Sequence, residues 1–362
     1  MKKPISPVVT LATLLASGIF AAPVLGQTAT APYELKVFAN APQGLTAPDS
    51  IAVLGDHVFV GYGDGHDPAG LDHLNSQVVE FDKDGIVVHI YTVPGHSDGL
   101  KVDPSTHLLW ALQNEDANAN LVIINPETHH QKLYTFGPTQ HGGGYDDIVF
   151  RGSKVYISAS NPANSPNTGP AIVSATLEGN AVDVKPVLAG DANAVDVTTD
   201  ATVTLNLQDP DSMTLDPEGN LVLDSQGDHL LIIVSNPGTS GQRVVQLPLT
   251  ALTTTGVAPI EVDDTAFVTS SEGFILFADK GLNTVFALQK KAWAPGAAYT
   301  AADGGPFVGT IDLSTGFITP IVTGLQNPGG LVFVDTSRHD RDDSRDGDGD
   351  SCRDREHESD SL

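Results

Sequence analysis

Three observations predict an all-β fold, a single β-propeller of four-stranded blades. Short apolar runs of strand length repeat at intervals of about fifty residues, each opened by an Asp in a turn. The chain carries 36 Gly and 24 Pro but only 6% aromatic residues, a composition suited to many strands joined by tight turns. No stretch holds helical periodicity over a useful length.

The first strands of the repeat are the clearest copies. They read Pro48-Asp49-Ser50-Ile51-Ala52-Val53, Ser97-Asp98-Gly99-Leu100-Lys101-Val102, Tyr145-Asp146-Asp147-Ile148-Val149-Phe150, Pro210-Asp211-Ser212-Met213-Thr214-Leu215 and Val262-Asp263-Asp264-Thr265-Ala266-Phe267. Asn327-Pro328-Gly329-Gly330-Leu331-Val332 is a degenerate sixth copy. From Asp49 to Asp98, Asp146, Asp211 and Asp263 the steps are 49, 48, 65 and 52 residues.

A second apolar run follows each copy: His57–Val60, His107–Trp110, Lys154–Ile157, Asn220–Leu223 and Phe274–Phe277. Asp103-Pro104-Ser105-Thr106 and Asp216-Pro217-Glu218-Gly219 join first to second runs with type I turn sequences. Two further strands then complete each unit, as in Asn120–Asn125 and Gln131–Phe136. Four strands per fifty residues is blade spacing. Six copies imply six blades, although the crowding of strands between Phe274 and Thr323 leaves five or seven open. Tyr33–Phe38 precedes the first copy and is expected to close the ring with Leu331–Val334.

Residues 32–336 are thus expected to form the propeller. Residues 1–26 read as a secretory signal, with Met1-Lys2-Lys3 basic, Val8–Phe20 mostly apolar, and small residues after it. Cleavage would leave a secreted or periplasmic protein with no later membrane span. Residues 337–362 read as a disordered acidic tail: from Arg338 onward there are ten acids and five Lys or Arg. Within it, Asp346-Gly347-Asp348-Gly349-Asp350 starts like a calcium loop but lacks the closing acid. The lone Cys352 rules out a disulfide within the chain and a thiolate metal centre. A formal charge of −27 argues against nucleic acid as a partner and suits cations.

The repeated Asp carries the functional signal. In a propeller the first strand of each blade is innermost, so Asp49, Asp98, Asp146, Asp211 and Asp263 would ring one mouth of the channel. Clustered carboxylates repel one another unless a cation joins them, and hard oxygen ligands select Ca²⁺ or Mg²⁺. Loops after the second strands add Asn114, Glu115, Asn161, Asp224 and Asp279 on the same side. His96 and His141 precede the repeated Asp in their copies and are candidate catalytic bases. A structural account competes: an Asp at a strand entry often caps a turn through backbone N–H groups, and a repeat copies it everywhere. Asp224 and Asp279 are expected to shape turns.

The copies around Asp98 and Asp211 resemble blades of NHL-type propellers, the superfamily that includes the gluconolactonase (senescence marker protein) group, strictosidine-synthase-like proteins and virginiamycin B lyases. The resemblance implies a six-bladed fold. It also implies a divalent metal held from positions such as Asp49, Asp98, Asp146 and Asp211, although the gluconolactonase group's Glu between two glycines is absent. Two classes of function follow. One is an exported propeller that binds a small molecule, glycan or partner protein at the channel mouth. The other is catalytic, as a metal-dependent lactonase or esterase, or a virginiamycin-type lyase using His and Mg²⁺. The sequence does not fix an oligomeric state.

Overall fold

A computed structural model describes residues 26–337. The expected signal apart from Gly26, and the expected tail apart from Ser337, lie outside the described residues. Strands and turns make up the described chain, which contains no helix, and so none long and apolar enough to cross a membrane.

The strands group into four-stranded antiparallel units, each a radial blade. The first four blades are plain meanders in chain order, starting at inner strands Pro48–Leu54, Ser97–Val102, Ile148–Arg151 and Pro210–Leu215. Two more inner strands, Asp264–Phe267 and Pro328–Asp335, complete the set. Neighbouring inner strands touch in that order, and the last touches the first, so they enclose a central channel. Between blades the core is apolar: Phe59, Tyr91, Leu100 and Leu109, all buried, fill the space between the first and second blades.

The long step between Asp146 and Asp211 has a local cause. A hairpin, Asn193–Asp196 with Thr202–Thr204, is added to the outer edge of the fourth blade, where Val195 pairs with Val245. A second added hairpin, Thr250–Thr253 with Gly256–Pro259, edges the fifth blade.

The last two blades depart from the sequence expectation. Phe274–Phe277 does not pair with the Asp263 copy. Its strand, Gly273–Asp279, pairs with Pro328–Asp335, with Ile275 opposite Phe333. The partner of Asp264–Phe267 is Ala298–Ala302. The chain therefore leaves the fifth blade after one strand, builds a hairpin in the sixth, and returns. Alternating apolar residues fit either partner, so the pattern could not choose. Two contacts hold the exchanged hairpin in place. The Asp279 carboxylate accepts the backbone N–H groups of Gln326 and Asn327, at the entry of the last inner strand. The Trp293 indole N–H donates to the Gly273 carbonyl at 2.8 Å.

Ring closure follows the expected ends, but not by direct pairing. Glu34–Asn40 is the outermost strand of the blade whose innermost strand is Pro328–Asp335, and Thr284–Gln289 and Gly273–Asp279 lie between them. The strands Glu34–Asn40 and Pro328–Asp335, from opposite ends of the chain, thus share one sheet, which locks the ring, while Thr28–Ala29 pairs with Phe317–Thr323 in the fifth blade.

Candidate metal centre at the channel mouth

The five repeated Asp all line one cavity of about 210 Å³ at the top of the channel. A strand irregularity helps to aim them. The registers of three inner strands break between Pro48 and Ile51, Ser97 and Leu100, and Pro210 and Met213, bracketing Asp49, Asp98 and Asp211. Such a bulge turns a side chain out of the regular alternation, here toward the channel.

The turn-capping account of these residues fails on hydrogen bonding. Asp82, Asp103, Asp196, Asp216 and Asp312 accept backbone N–H groups within their turns. None of the five ring Asp accepts a backbone N–H among the described residues. Their hydrogen-bonding partners are side chains: Lys280 reaches Asp49 at 3.0 Å and Asp263 at 3.4 Å, and Gln226 reaches Asp263 at 3.4 Å. The buried Oδ2 atoms of Asp98 and Asp263 have no partner at all. A repeated residue that caps nothing, with buried oxygens left bare, is unusual in a folded protein.

Asp98, Glu115 and Asp146 converge most closely, each offering an oxygen within 4.8 Å of the others. Glu115 comes from the loop after the second strand of its blade. That loop turns at Asn114, whose positive φ of 65° suits an Asn, and the Asn114 Oδ1 accepts the His96 N–H at 2.9 Å. The loop is gripped from below by Gly144, where any side chain would collide with the carbonyls of Asn114 and Glu115.

The sixth blade breaks the ring in a telling way. Gly329 stands where the other copies carry Asp, and a Cβ there would collide with the Asp263 carboxylate. In place of a sixth acid, Lys280 enters from the exit of the neighbouring strand of that blade. The exits of second strands supply a whole tier of the cavity: Glu115, Ser160, Gln226 and Lys280 each lie one or two residues past such a strand.

Nine acids line the cavity with one lysine, and no lining residue is apolar. Burial pushes Asp98, Asp146, Asp211 and Asp263 well above the usual carboxylate range, and their acidic neighbours push them further. Burial also pulls Glu115 upward, but hydrogen bonding with Asp98 and the charge of Lys280 hold it below its ordinary value. The two close acids are thus pushed in opposite directions, Asp98 up and Glu115 down. For Lys280, burial favours the neutral amine, but Asp263 and Asp49 outweigh it and raise its pKa. Replacing Lys280 with Met should cost about 3 kcal/mol in calcium-free buffer at pH 8, because it strands two buried carboxylates. It should also tighten calcium binding by removing a competing cation. Chemical denaturation with and without calcium reads both effects.

The residues present fit a divalent cation. Three carboxylates supply hard oxygens, and one is buried and unpartnered. Three oxygens within 4.8 Å of one another can meet on one ion at the bond lengths of either Ca²⁺ or Mg²⁺.

The other expected residues fall elsewhere. His96 packs its ring against Gly63, close to Glu115 and Asp116. His141 is buried; its Nε2–H donates to the Gly144 carbonyl at 2.7 Å, and burial lowers its pKa, which keeps it neutral. Neither ring lines the cavity. His141-Gly142-Gly143-Gly144 is a packing loop, where a side chain on Gly143 would strike the carbonyls of Ser160 and Asn161. Asp279 shapes its turn as expected, accepting the Leu282 N–H. Asp224 does not: it accepts the Thr265 hydroxyl of the next blade at 2.9 Å, deep in the channel. Lys280, Asp116, Asp209 and Asp303 also line the cavity and were not foreseen.

The sequence matches no family model, and no curated protein matches it. Solved structures do align. Virginiamycin B lyase from Staphylococcus aureus aligns with a TM-score of 0.46 and 11% identity, over 80% of this chain and 87% of that one. The periplasmic gluconolactonase of Pseudomonas aeruginosa gives 0.45 and 11%, over 80% and 88%. A protein of unknown function from Bacteroides caccae gives 0.45 and 8%, over 81% and 88%.

Proposed function

We propose that the chain is an exported, divalent-cation-dependent hydrolase of small, neutral, hydroxyl-rich lactones or esters, with the acidic mouth as its active centre. The observation that carries this reading is the Asp98–Glu115–Asp146 cluster, open to a cavity without a single apolar side chain. A cavity of about 210 Å³ has room for a molecule the size of a monosaccharide. Export would bring the site into calcium-rich surroundings, where even a weak site fills.

A bound cation would supply Lewis-acid polarisation of the carbonyl and make a water more acidic. The chain's own residues have separate tasks. Ser50, Ser160, Ser212 and Gln226 offer hydrogen bonds to substrate hydroxyls. Lys280, held cationic by Asp49 and Asp263, is placed to steady negative charge developing on an oxygen. Asp211 sits beside Asp146 and is the group placed to take a proton from water, since its raised pKa makes it a stronger base than an ordinary carboxylate. The product of such a hydrolysis is a carboxylate anion, which the surrounding acids repel, so release is favoured. A lyase that depends on a histidine base has no support in this cavity, because neither His96 nor His141 lines it.

A screen of sugar lactones and short esters with added Ca²⁺ or Mg²⁺ tests the reading. Turnover should vanish with chelator, and Glu115→Gln or Asp146→Asn should each lower kcat/KM by roughly a hundredfold or more. Metal-independent turnover, or none with any substrate alongside tight sugar binding, would favour a non-catalytic binding propeller instead. The absence of an imidazole from the cavity is the observation on that side.

A further inference from the structure

The opposite end of the channel is chemically unlike the acidic mouth. A second cavity, of about 360 Å³, opens there between the far ends of the inner strands. Its walls include Val53, Val149, Leu215, Phe267, Leu331 and Phe333. Only two ionisable side chains line it among the described residues, Lys101 and Asp264. Lys101 already has a partner, since its Nζ lies 2.9 Å from the buried Asp147 carboxylate. The Asp264 side chain accepts no hydrogen bond from any described residue, although only 8% of the residue is exposed. Asp147 Oδ1 and Asp224 Oδ2 are buried nearby without partners. Behind the lining, Asp147 and Asp224 thus add two buried carboxylates to that of Asp264, against the single ammonium of Lys101.

An apolar wall over an acidic floor matches one ligand chemistry. We propose that this lower cavity is a second ligand site, for small amphiphilic cations whose primary ammonium pairs with Asp264 while the hydrocarbon body lies against the apolar wall. Pockets of this kind, mostly apolar with a few convergent polar groups, are the usual form of small-molecule sites. The acidic mouth would not serve the same ligand, because it has no apolar lining for the hydrocarbon. The Lys101–Asp147 pair keeps the only cation in the floor occupied, so an anion of the same size gains little there.

Calorimetric titration of the full chain in saturating Ca²⁺, with hexylammonium, hexanoate and 1-hexanol as probes, tests this. Hexylammonium should bind one per chain, at least tenfold more tightly than either comparator. Affinity should rise about fourfold per methylene from propylammonium to hexylammonium, as expected for burial of the chain. Asp264→Asn should remove the preference for the amine over hexanol. Leu215→Arg, at a half-buried wall position and with its melting curve compared with the parent's, should weaken hexylammonium more than hexanol. Three results would overturn the proposal: hexanoate binding as well as the amine, affinity independent of chain length, or displacement of hexylammonium by Ca²⁺, which would assign the amine to the upper mouth.

Discussion

Calcium should raise the thermal midpoint by roughly 4 °C at a hundredfold excess over Kd, since a ligand bound only by the folded state adds about 2.7 kcal/mol at that ratio. The gain should grow with pH. Asp98, Asp146, Asp211 and Asp263 have folded pKa values raised above their unfolded ones. Such groups hold their protons more tightly when folded. Their contribution to stability is complete at pH values below the ordinary carboxylate range, and it is lost as pH rises through the raised values. Without calcium, the protein should therefore be more stable near pH 5 than near pH 8. A cation replaces the protons that leave, so the interval between calcium and chelator curves should widen from pH 5 to pH 8. Asp98→Asn separates this account from turn capping. It should stabilise the calcium-free protein at pH 8, because a buried charge is gone, while shrinking the calcium response. A capping Asp would leave the midpoint nearly unchanged in both conditions, since Asn caps a turn about as well, and would leave no calcium response to shrink. Melting curves in a grid of pH and calcium concentration distinguish the two.

Deleting the strand Glu34–Asn40 should abolish cooperative folding. That strand covers Thr284–Gln289 and completes the blade that the last inner strand begins. Leu35 and Val37 pack into the cluster around Trp293, Phe286 and Leu288, and Ala39 into the neighbouring one. Tyr33, just before the strand, adds ring contacts to Trp293 and Tyr299 and a 2.9 Å hydroxyl contact to Tyr299. At about 1.5–3 kcal/mol for each large apolar side chain, the loss approaches the whole stability of a typical domain. It also bares the edge of Thr284–Gln289, which invites aggregation. Moving residues 27–41 behind Ser337 through a flexible linker should restore a soluble, cooperatively melting protein, because the strand would then reach the same sheet from the other terminus. If the truncated chain melted normally by calorimetry, the closure described above would be wrong.

The parts of this molecule that repeat were legible in the sequence, and the parts that do not repeat were hidden. The apolar runs marked blades because every blade must bury both faces against its neighbours. The Asp at each inner-strand entry marked the channel mouth because a ring copies one position around an axis. Lys280 carried no such signal. It occupies the place of a missing sixth acid, and only the three-dimensional closeness of Gly329 and Asp263 reveals the substitution. Glu115 was visible as one of several acids beyond second strands, yet nothing in its spacing singled it out as the third member of the cluster. The exchange of the Gly273–Gln289 hairpin between blades was hidden for another reason. Strand alternation records which face is buried, not which strand lies alongside. His96 and His141 precede a repeated Asp by two and five residues in the chain, but the ring of one packs against Gly63 and the ring of the other bonds the Gly144 carbonyl.

The most direct test of the central claim is a crystal structure of the protein grown with millimolar CaCl₂. The account predicts a single strong density peak at the channel mouth, about 2.3–2.6 Å from oxygens of Asp98, Glu115 and Asp146, and lost from crystals soaked in chelator. A mouth that holds only water under those conditions, or a calcium ion bound elsewhere on the surface, would contradict it.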